Sequence, residues 1–124
     1  MLEVERIAGY LFKCQKYDGG FGLRPNLESH GAATFLAVAS LTFLKKQDKI
    51  PNKRKLIQWV LNRFGNGVQG RVAKPCDSCY TFWQSSTLKL LGFAHCIEGN
   101  NILHFLTKCQ TKMVYYGDFL SNND

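Results

Sequence analysis

The chain lacks any run of about 18 apolar residues, so the sequence predicts no membrane-spanning helix. It also lacks the basic start and apolar stretch of a secretory signal peptide at its N-terminus. The apolar fraction of 45% is that of a folded protein, which argues against a disordered chain. At 124 residues, the sequence corresponds to one small domain or to part of a larger one.

Acidic residues are scarce, with 9 against 16 basic ones and a net charge of +7. An anionic partner is compatible with this excess, whether nucleic acid, a membrane surface or a phosphorylated small molecule. The densest basic run, residues 45–55, contains no aromatic residue, so it does not indicate a platform for stacking nucleic-acid bases. We interpret this run as a solvated connection that continues into the first turn of a helix.

The five cysteines are an odd number, and no export signal accompanies them. Reduced thiols and a cytoplasmic location are therefore predicted.

An internal repeat organises the chain. When the sequence is shifted by 47 residues, positions 21–24 align with 68–71 and positions 40–44 align with 87–91. Cys109-Gln110 repeats Cys14-Gln15 at about twice that distance. A period of this length indicates two-helix units of a solenoid or closed ring. We predict one repeat over about 14–55, a second over about 61–102 and the start of a third over about 109–124.

Apolar spacing predicts an all-α chain with helices over residues 4–14, 32–44, 53–64, 77–91 and 101–109. The second of these is apolar on nearly every side, so we expect it to be buried all round, whereas the first and third have one apolar face. Gly65-Asn66-Gly67 is expected to cap the third helix, and Asp77 or Ser78 to begin the fourth.

Two stretches carry a resemblance to a known family. The first is Cys14-Gln15-Lys16-Tyr17-Asp18-Gly19-Gly20-Phe21-Gly22, followed by Glu28-Ser29-His30-Gly31. The second comprises Gly70-Arg71, Lys74-Pro75, Asp77, Cys79-Tyr80 and Phe82-Trp83. They are similar to the repeats of protein prenyltransferase β subunits, most of all those of geranylgeranyltransferase type I. The likeness implies helical-hairpin repeats of the α/α toroid, here as an incomplete arc. Terpene cyclases share the ring architecture, but the second stretch is specific to protein prenyltransferases.

The resemblance implies a zinc site. Family members hold a catalytic zinc with an Asp, a Cys and a distant His, and Asp77 and Cys79 match the first two. The third ligand lies in a later family repeat that this sequence is not expected to complete, and neither His95 nor His104 fits it. Taken alone, the C-x-x-C at Cys76 and Cys79 could be half a zinc knuckle or a redox pair. No second C-x-x-C and no βαβ pattern supports either alternative.

Substrate residues follow from the same likeness. His30, Arg71, Lys74 and Tyr80 match the family residues that contact the isoprenoid diphosphate, and Trp83 matches an aromatic residue of the lipid channel. Lys74 and Tyr80, with Asp77 and Cys79, form the expected catalytic set. The sequence departs from the family pattern at Ala32, Leu36 and Ala73.

The implied activity is transfer of a geranylgeranyl group from its diphosphate to a CaaX cysteine, with an α subunit as partner. Farnesyl transfer and Rab-type transfer are the related alternatives. Magnesium often assists the diphosphate in this family, although no residue here identifies its ligands. Neither a nucleic-acid partner nor integral membrane insertion is expected. A second hypothesis is a catalytically inactive helical-repeat protein that exposes the apolar faces of residues 32–44.

Overall fold

The computed structural model describes residues 2–110 and contains five α-helices in that part of the chain. They are α1 Leu2–Lys13, α2 Gly31–Phe43, α3 Lys53–Leu61, α4 Ser78–Leu91 and α5 Gly99–Cys109. Short 3-10 turns follow α2 and α4, at Gln47–Lys49 and Ala94–Cys96. The all-α prediction is confirmed. Over residues 2–110, no helix combines the length and apolarity that crossing a bilayer demands. Most of the predicted third repeat lies outside the described residues.

Side-chain caps explain where the helices begin. The His30 ring precedes α2 and accepts a hydrogen bond from the backbone N–H of Ala33. The Asp77 carboxylate precedes α4 and accepts from the backbone N–H of Cys79, so Asp77 rather than Ser78 is the N-cap. These contacts satisfy backbone donors that have no partner within the helix.

The end of the third helix differs from its prediction. Helix α3 stops at Leu61 with Asn62 as its C-cap, three residues before the predicted end. Gly65-Asn66-Gly67 therefore does not cap the helix but forms a tight turn, in which the Gly65 N–H donates to the carbonyl of Gly67. The apolar pattern extended past the helix because Phe64, in a bridge with Val68, packs on the core from the turn.

Helices α2 and α4 pack side by side and run in the same direction. Their N-terminal ends meet at His30 and Tyr80, and the Gln47 side chain beyond the end of α2 reaches the carbonyl of Leu90 near the end of α4. Helix α1 packs against α2, whereas α3 and α5 pack against α4. The core between these helices is formed by Val38, Leu41, Leu56, Val60 and Leu88, all fully buried.

One side of α2 is not buried, contrary to the expectation for a helix that is apolar all round. Leu36 is 52% exposed and Phe43 is 86% exposed. Among the described residues, α2 packs mainly against α4, with smaller contacts to α1 and to the 3-10 turn Gln47–Lys49. A groove of about 420 Å³ lies between α1 and the end of α2, lined by Ile7, Ala39, Ser40, Phe43 and Leu44.

Equivalent hydrogen bonds recur 47 residues apart. The His30 N–H donates to the carbonyl of Phe21 over 3.0 Å, and the Asp77 N–H donates to the carbonyl of Val68 over 3.0 Å. Phe21 and Val68 are both fully buried. Each bond fixes the residue before α2 or α4 to the turn that precedes it. The exact repeat boundaries stay a prediction.

Candidate functional site

The N-terminal ends of α2 and α4 are joined through two glycines. The Gly31 N–H donates to the Gly70 carbonyl over 2.7 Å. A Cβ atom on Gly70 would lie 2.3 Å from Cζ of Tyr80, and one on Gly31 would lie 2.5 Å from Nε2 of Gln84. The absence of both side chains therefore allows the two helix starts to come into direct contact.

This approach pairs His30 with Tyr80, which are 50 positions apart in the chain. Nε2 of His30 lies 2.8 Å from the Tyr80 hydroxyl, and Nδ1 accepts the Ala33 N–H. We assign the proton of the neutral ring to Nε2, since Nδ1 acts as an acceptor. His30 then donates to Tyr80, whose own O–H stays available to donate to a ligand.

Burial supports the neutral forms of both rings. The pKa of His30 is lowered mainly by burial and also by the Arg71 cation, while Glu28 opposes the shift. The pKa of Tyr80 is raised mainly by burial and also by Cys79 and Asp77, with Arg71 opposing. Tyr80 therefore keeps its proton at neutral pH and remains a hydrogen-bond donor.

We expect the chain to lose stability as the pH falls below 6.5, the ordinary pKa of histidine. Because the pKa of His30 is lower in the folded state, the unfolded state binds more protons in this range, so stability rises with pH. The contribution is complete above pH 6.5 and is lost as the pH falls through the folded-state value. Urea midpoints measured between pH 8 and pH 5 would show this slope.

His30→Asn is the informative variant, because asparagine can cap α2 and does not titrate. Its pH slope should be shallower than that of the wild type. His104→Asn, which changes an exposed histidine of α5, is the matched control. An equal dependence of stability on pH in the wild type and in His30→Asn would show that His30 is not the cause.

Two cations stand beside this pair. A cleft of about 200 Å³, here called the anion cleft, is lined by Gly70, Arg71, Lys74, Pro75, Asp77 and Tyr80. Arg71 donates from Nη1 to Oε1 of Glu28 over 2.9 Å, and Lys74 is exposed. Ala73 holds a φ of +61°, a left-handed conformation that asparagine and glycine adopt more readily. The cleft therefore combines a planar guanidinium, a point charge and a hydroxyl donor with the carboxylate of Asp77.

Asp77 and Cys79 lie together in the first turn of α4. One carboxylate oxygen of Asp77 is engaged by the Cys79 N–H at 3.0 Å, and the Cys79 side chain is exposed. A carboxylate and a thiolate are donor types that zinc accepts, so these two residues fit part of a zinc site. Within residues 2–110, no group of three histidine, cysteine or acidic residues is placed to hold a metal, and neither His95 nor His104 joins the pair. Cys76 is half-buried, and burial raises the pKa of its thiol.

Trp83 belongs to an aromatic cluster one turn further along α4 from Tyr80. Its ring centroid lies 5.3 Å from that of Phe35 on α2 and 5.1 Å from that of Phe82. Since residues three apart share a helix face, this apolar surface continues from the anion cleft. Phe82 and Leu36 are exposed on the two helices.

Two residues of the site were missed by the sequence interpretation. Glu28 lies in the first family-like stretch but was assigned no role, although it pairs with Arg71 across 43 positions. Gln84 is fully buried and donates to the Gln69 carbonyl. No local pattern reveals either contact, because both partners are distant in sequence.

The chain matches a known protein family and is similar to two plant proteins. The family description "Prenyltransferase alpha-alpha toroid domain" matches residues 1–124. The chain is 40% identical over 130 residues to the geranylgeranyl transferase type-1 subunit beta of Arabidopsis thaliana, covering 95% of this chain and 34% of that protein. It is 35% identical to the protein farnesyltransferase subunit beta of the same plant, covering 82% of this chain and 24% of that protein.

Two fungal proteins extend the comparison. The geranylgeranyl transferase type-2 subunit beta of Saccharomyces cerevisiae is 33% identical, with 86% of this chain and 34% of that protein covered. A solved structure of Candida albicans protein geranylgeranyltransferase-I complexed with GGPP superimposes with a TM-score of 0.85 at 22% identity, covering 95% of this chain and 38% of that chain. This likeness shows the fold. The chain thus spans about a third of the length of the first of these relatives.

Proposed function

Because the chain belongs to the prenyltransferase α-α toroid family, we propose that it forms part of the β subunit of a protein geranylgeranyltransferase type I. The whole protein would transfer a geranylgeranyl group from its diphosphate to the cysteine of a CaaX sequence. An α subunit would be its partner, and the cytoplasm its location. Farnesyl and Rab-type transfer remain the alternatives within the family.

The observation that carries this proposal is the meeting of two helix N-termini with a polar pair and two cations. His30 and Tyr80 are in contact, and Arg71 lines the anion cleft next to Tyr80. The positive ends of helix dipoles favour an anion at this point. Arginine and lysine bind phosphate oxygens as a fork and as a point charge, respectively.

The chemistry of prenyl transfer suits this cleft. The bond between the prenyl carbon and the diphosphate oxygen breaks while a carbon–sulfur bond forms, so negative charge grows on the leaving diphosphate. Arg71 and Lys74 would stabilise that charge, and the Tyr80 hydroxyl would donate to it. The aromatic rings of Phe35, Phe82 and Trp83 would contact the hydrocarbon chain.

Asp77 and Cys79 are the residues that would hold zinc. When bound, zinc would lower the pKa of the substrate cysteine and present it as a thiolate. Asp77 also has a structural role as the N-cap of α4. Magnesium assistance to the diphosphate belongs to the same proposal, without assigned ligands.

After co-expression with a prenyltransferase α subunit, we expect zinc at less than one ion per chain, because Asp77 and Cys79 supply only part of a site, and less still in Asp77→Asn and Cys79→Ala. Asparagine retains an oxygen that can cap α4 but removes the anionic ligand, so Asp77→Asn should lose zinc without losing stability. Asp77→Ala should lose zinc and about 1 kcal/mol of stability. Metal analysis and urea unfolding measure the two effects separately.

Cys96→Ala is the matched control, because Cys96 is an exposed cysteine outside the site. Zinc content unaffected by Asp77→Asn and Cys79→Ala would contradict the assigned ligands. Absence of zinc from the wild-type complex would favour the second hypothesis, a catalytically inactive helical-repeat protein.

A further inference from the structure

Arg71 borders two clefts at the paired helix starts. One is the anion cleft, where Arg71 stands with Lys74 and Tyr80. The other, here called the leucine cleft, has a volume of about 210 Å³ and is lined by Leu23, Leu27, Glu28, His30 and Arg71. Arg71 is the residue that lines both. A long, flexible side chain at this border can serve either cleft, so its orientation depends on what holds it.

Glu28 makes the contact that holds it. Oε1 of Glu28 accepts from Nη1 of Arg71 at 2.9 Å, linking the segment before α2 to the segment before α4. The two side chains are 58% and 42% exposed, respectively. An ion pair this exposed contributes little to folding stability. Its main consequence is therefore local, at the guanidinium itself.

The contact with Glu28 holds Arg71 through one nitrogen and leaves its other N–H donors able to bind a ligand. A guanidinium carries five N–H donors in one plane, and Glu28 engages it at Nη1. Lys74 lines the anion cleft and not the leucine cleft.

We propose that Glu28 is a positioning residue, which fixes the Arg71 guanidinium at the border of the two clefts, where it can bind a diphosphate together with Lys74 and Tyr80. This inference rests on the proposed function, since it takes the anion cleft as the diphosphate site. Glu28 itself does not contact the diphosphate.

The sign of one substitution separates positioning from simple electrostatics. Glu28→Gln removes a negative charge beside a cationic cleft, so long-range electrostatics alone would tighten the binding of an anion. Loss of positioning would instead weaken binding, because Arg71 must then be ordered by the ligand. We expect the dissociation constant of geranylgeranyl diphosphate to rise about threefold to tenfold in Glu28→Gln.

Calorimetric titration of the chain co-expressed with a prenyltransferase α subunit would measure this, with geranylgeranyl diphosphate and inorganic diphosphate as probes. Glu28→Asp retains the charge on a shorter side chain and should restore part of the affinity. In an Arg71→Ala background, Glu28→Gln should cause no further weakening, since Glu28 acts through Arg71. Glu3→Gln removes an equal charge from the exposed Glu3–Arg6 pair and is the matched control.

The outcomes distinguish this inference from the proposed function. If Lys74→Ala weakens binding but Glu28→Gln tightens it or leaves it unchanged, the positioning role is wrong and the diphosphate site stands. Weakening by Glu28→Gln that persists in the Arg71→Ala background overturns it as well. If the wild-type complex binds neither probe, the proposed function fails and the positioning role fails with it.

Discussion

Replacing Gly70 by alanine is expected to destroy the paired helix starts and with them the binding of a diphosphate. The added Cβ would lie 2.3 and 2.4 Å from two ring carbons of Tyr80, closer than van der Waals contact permits. The ring must move, which separates its hydroxyl from His30 and strains the hydrogen bond between Gly31 and the Gly70 carbonyl. Overpacking of this kind costs about 1–3 kcal/mol of stability.

Urea unfolding and titration with geranylgeranyl diphosphate would measure the two losses in Gly70→Ala. Gly65→Ala is the matched control in a neighbouring loop, because a Cβ there meets no atom within 4 Å. We expect this control to unfold and bind as the wild type does. A Gly70→Ala chain with the affinity of the control would show that the Tyr80 position is not required.

Replacing Gly19 by alanine is expected to cause the larger loss of stability. Gly19 holds a φ of +102° in the turn after α1, and its missing Cβ would lie 2.3 Å from the backbone carbonyl carbon of Lys55. Backbone atoms of α3 cannot rotate away as a side chain can. Conformational strain and the clash together should cost about 2–5 kcal/mol of unfolding free energy.

The turn that contains Gly19 contacts the start of α3, so the loss of stability should affect the whole fold. The Gln15 side chain donates to the carbonyls of both Gly19 and Asn52. A displaced turn therefore also disturbs the start of α3, whose Leu56 is fully buried.

Gly92→Ala separates the effect of conformational strain from the effect of the clash. Gly92 ends α4 with a φ of +86°, and a Cβ there meets no atom within 4 Å. It should lose only the conformational part, about 1–2 kcal/mol. Equal urea midpoints for Gly19→Ala and Gly92→Ala would contradict the close packing of the turn against α3.

The proximity of several candidate site residues was predictable because it depends on short spacings, whereas their chemical roles stay predictions. Asp77 and Cys79 are two positions apart at a helix start, so the predicted α4 already brings them into one turn. The same holds for Tyr80 and Trp83, three apart on that helix. Assignment of Arg71, Lys74 and His30 to a diphosphate came from resemblance, and their role stays a prediction.

The helical class, the approximate helix positions and the 47-residue spacing of the repeats can all be read from the sequence, because they follow from its periodicity. Which residues face one another depends on how the helices pack. His30 meets Tyr80, and Glu28 meets Arg71, because Gly31 and Gly70 let two helix starts approach. The same packing leaves Leu36 and Phe43 exposed on an apolar helix, since burial depends on which neighbours are present and not on composition.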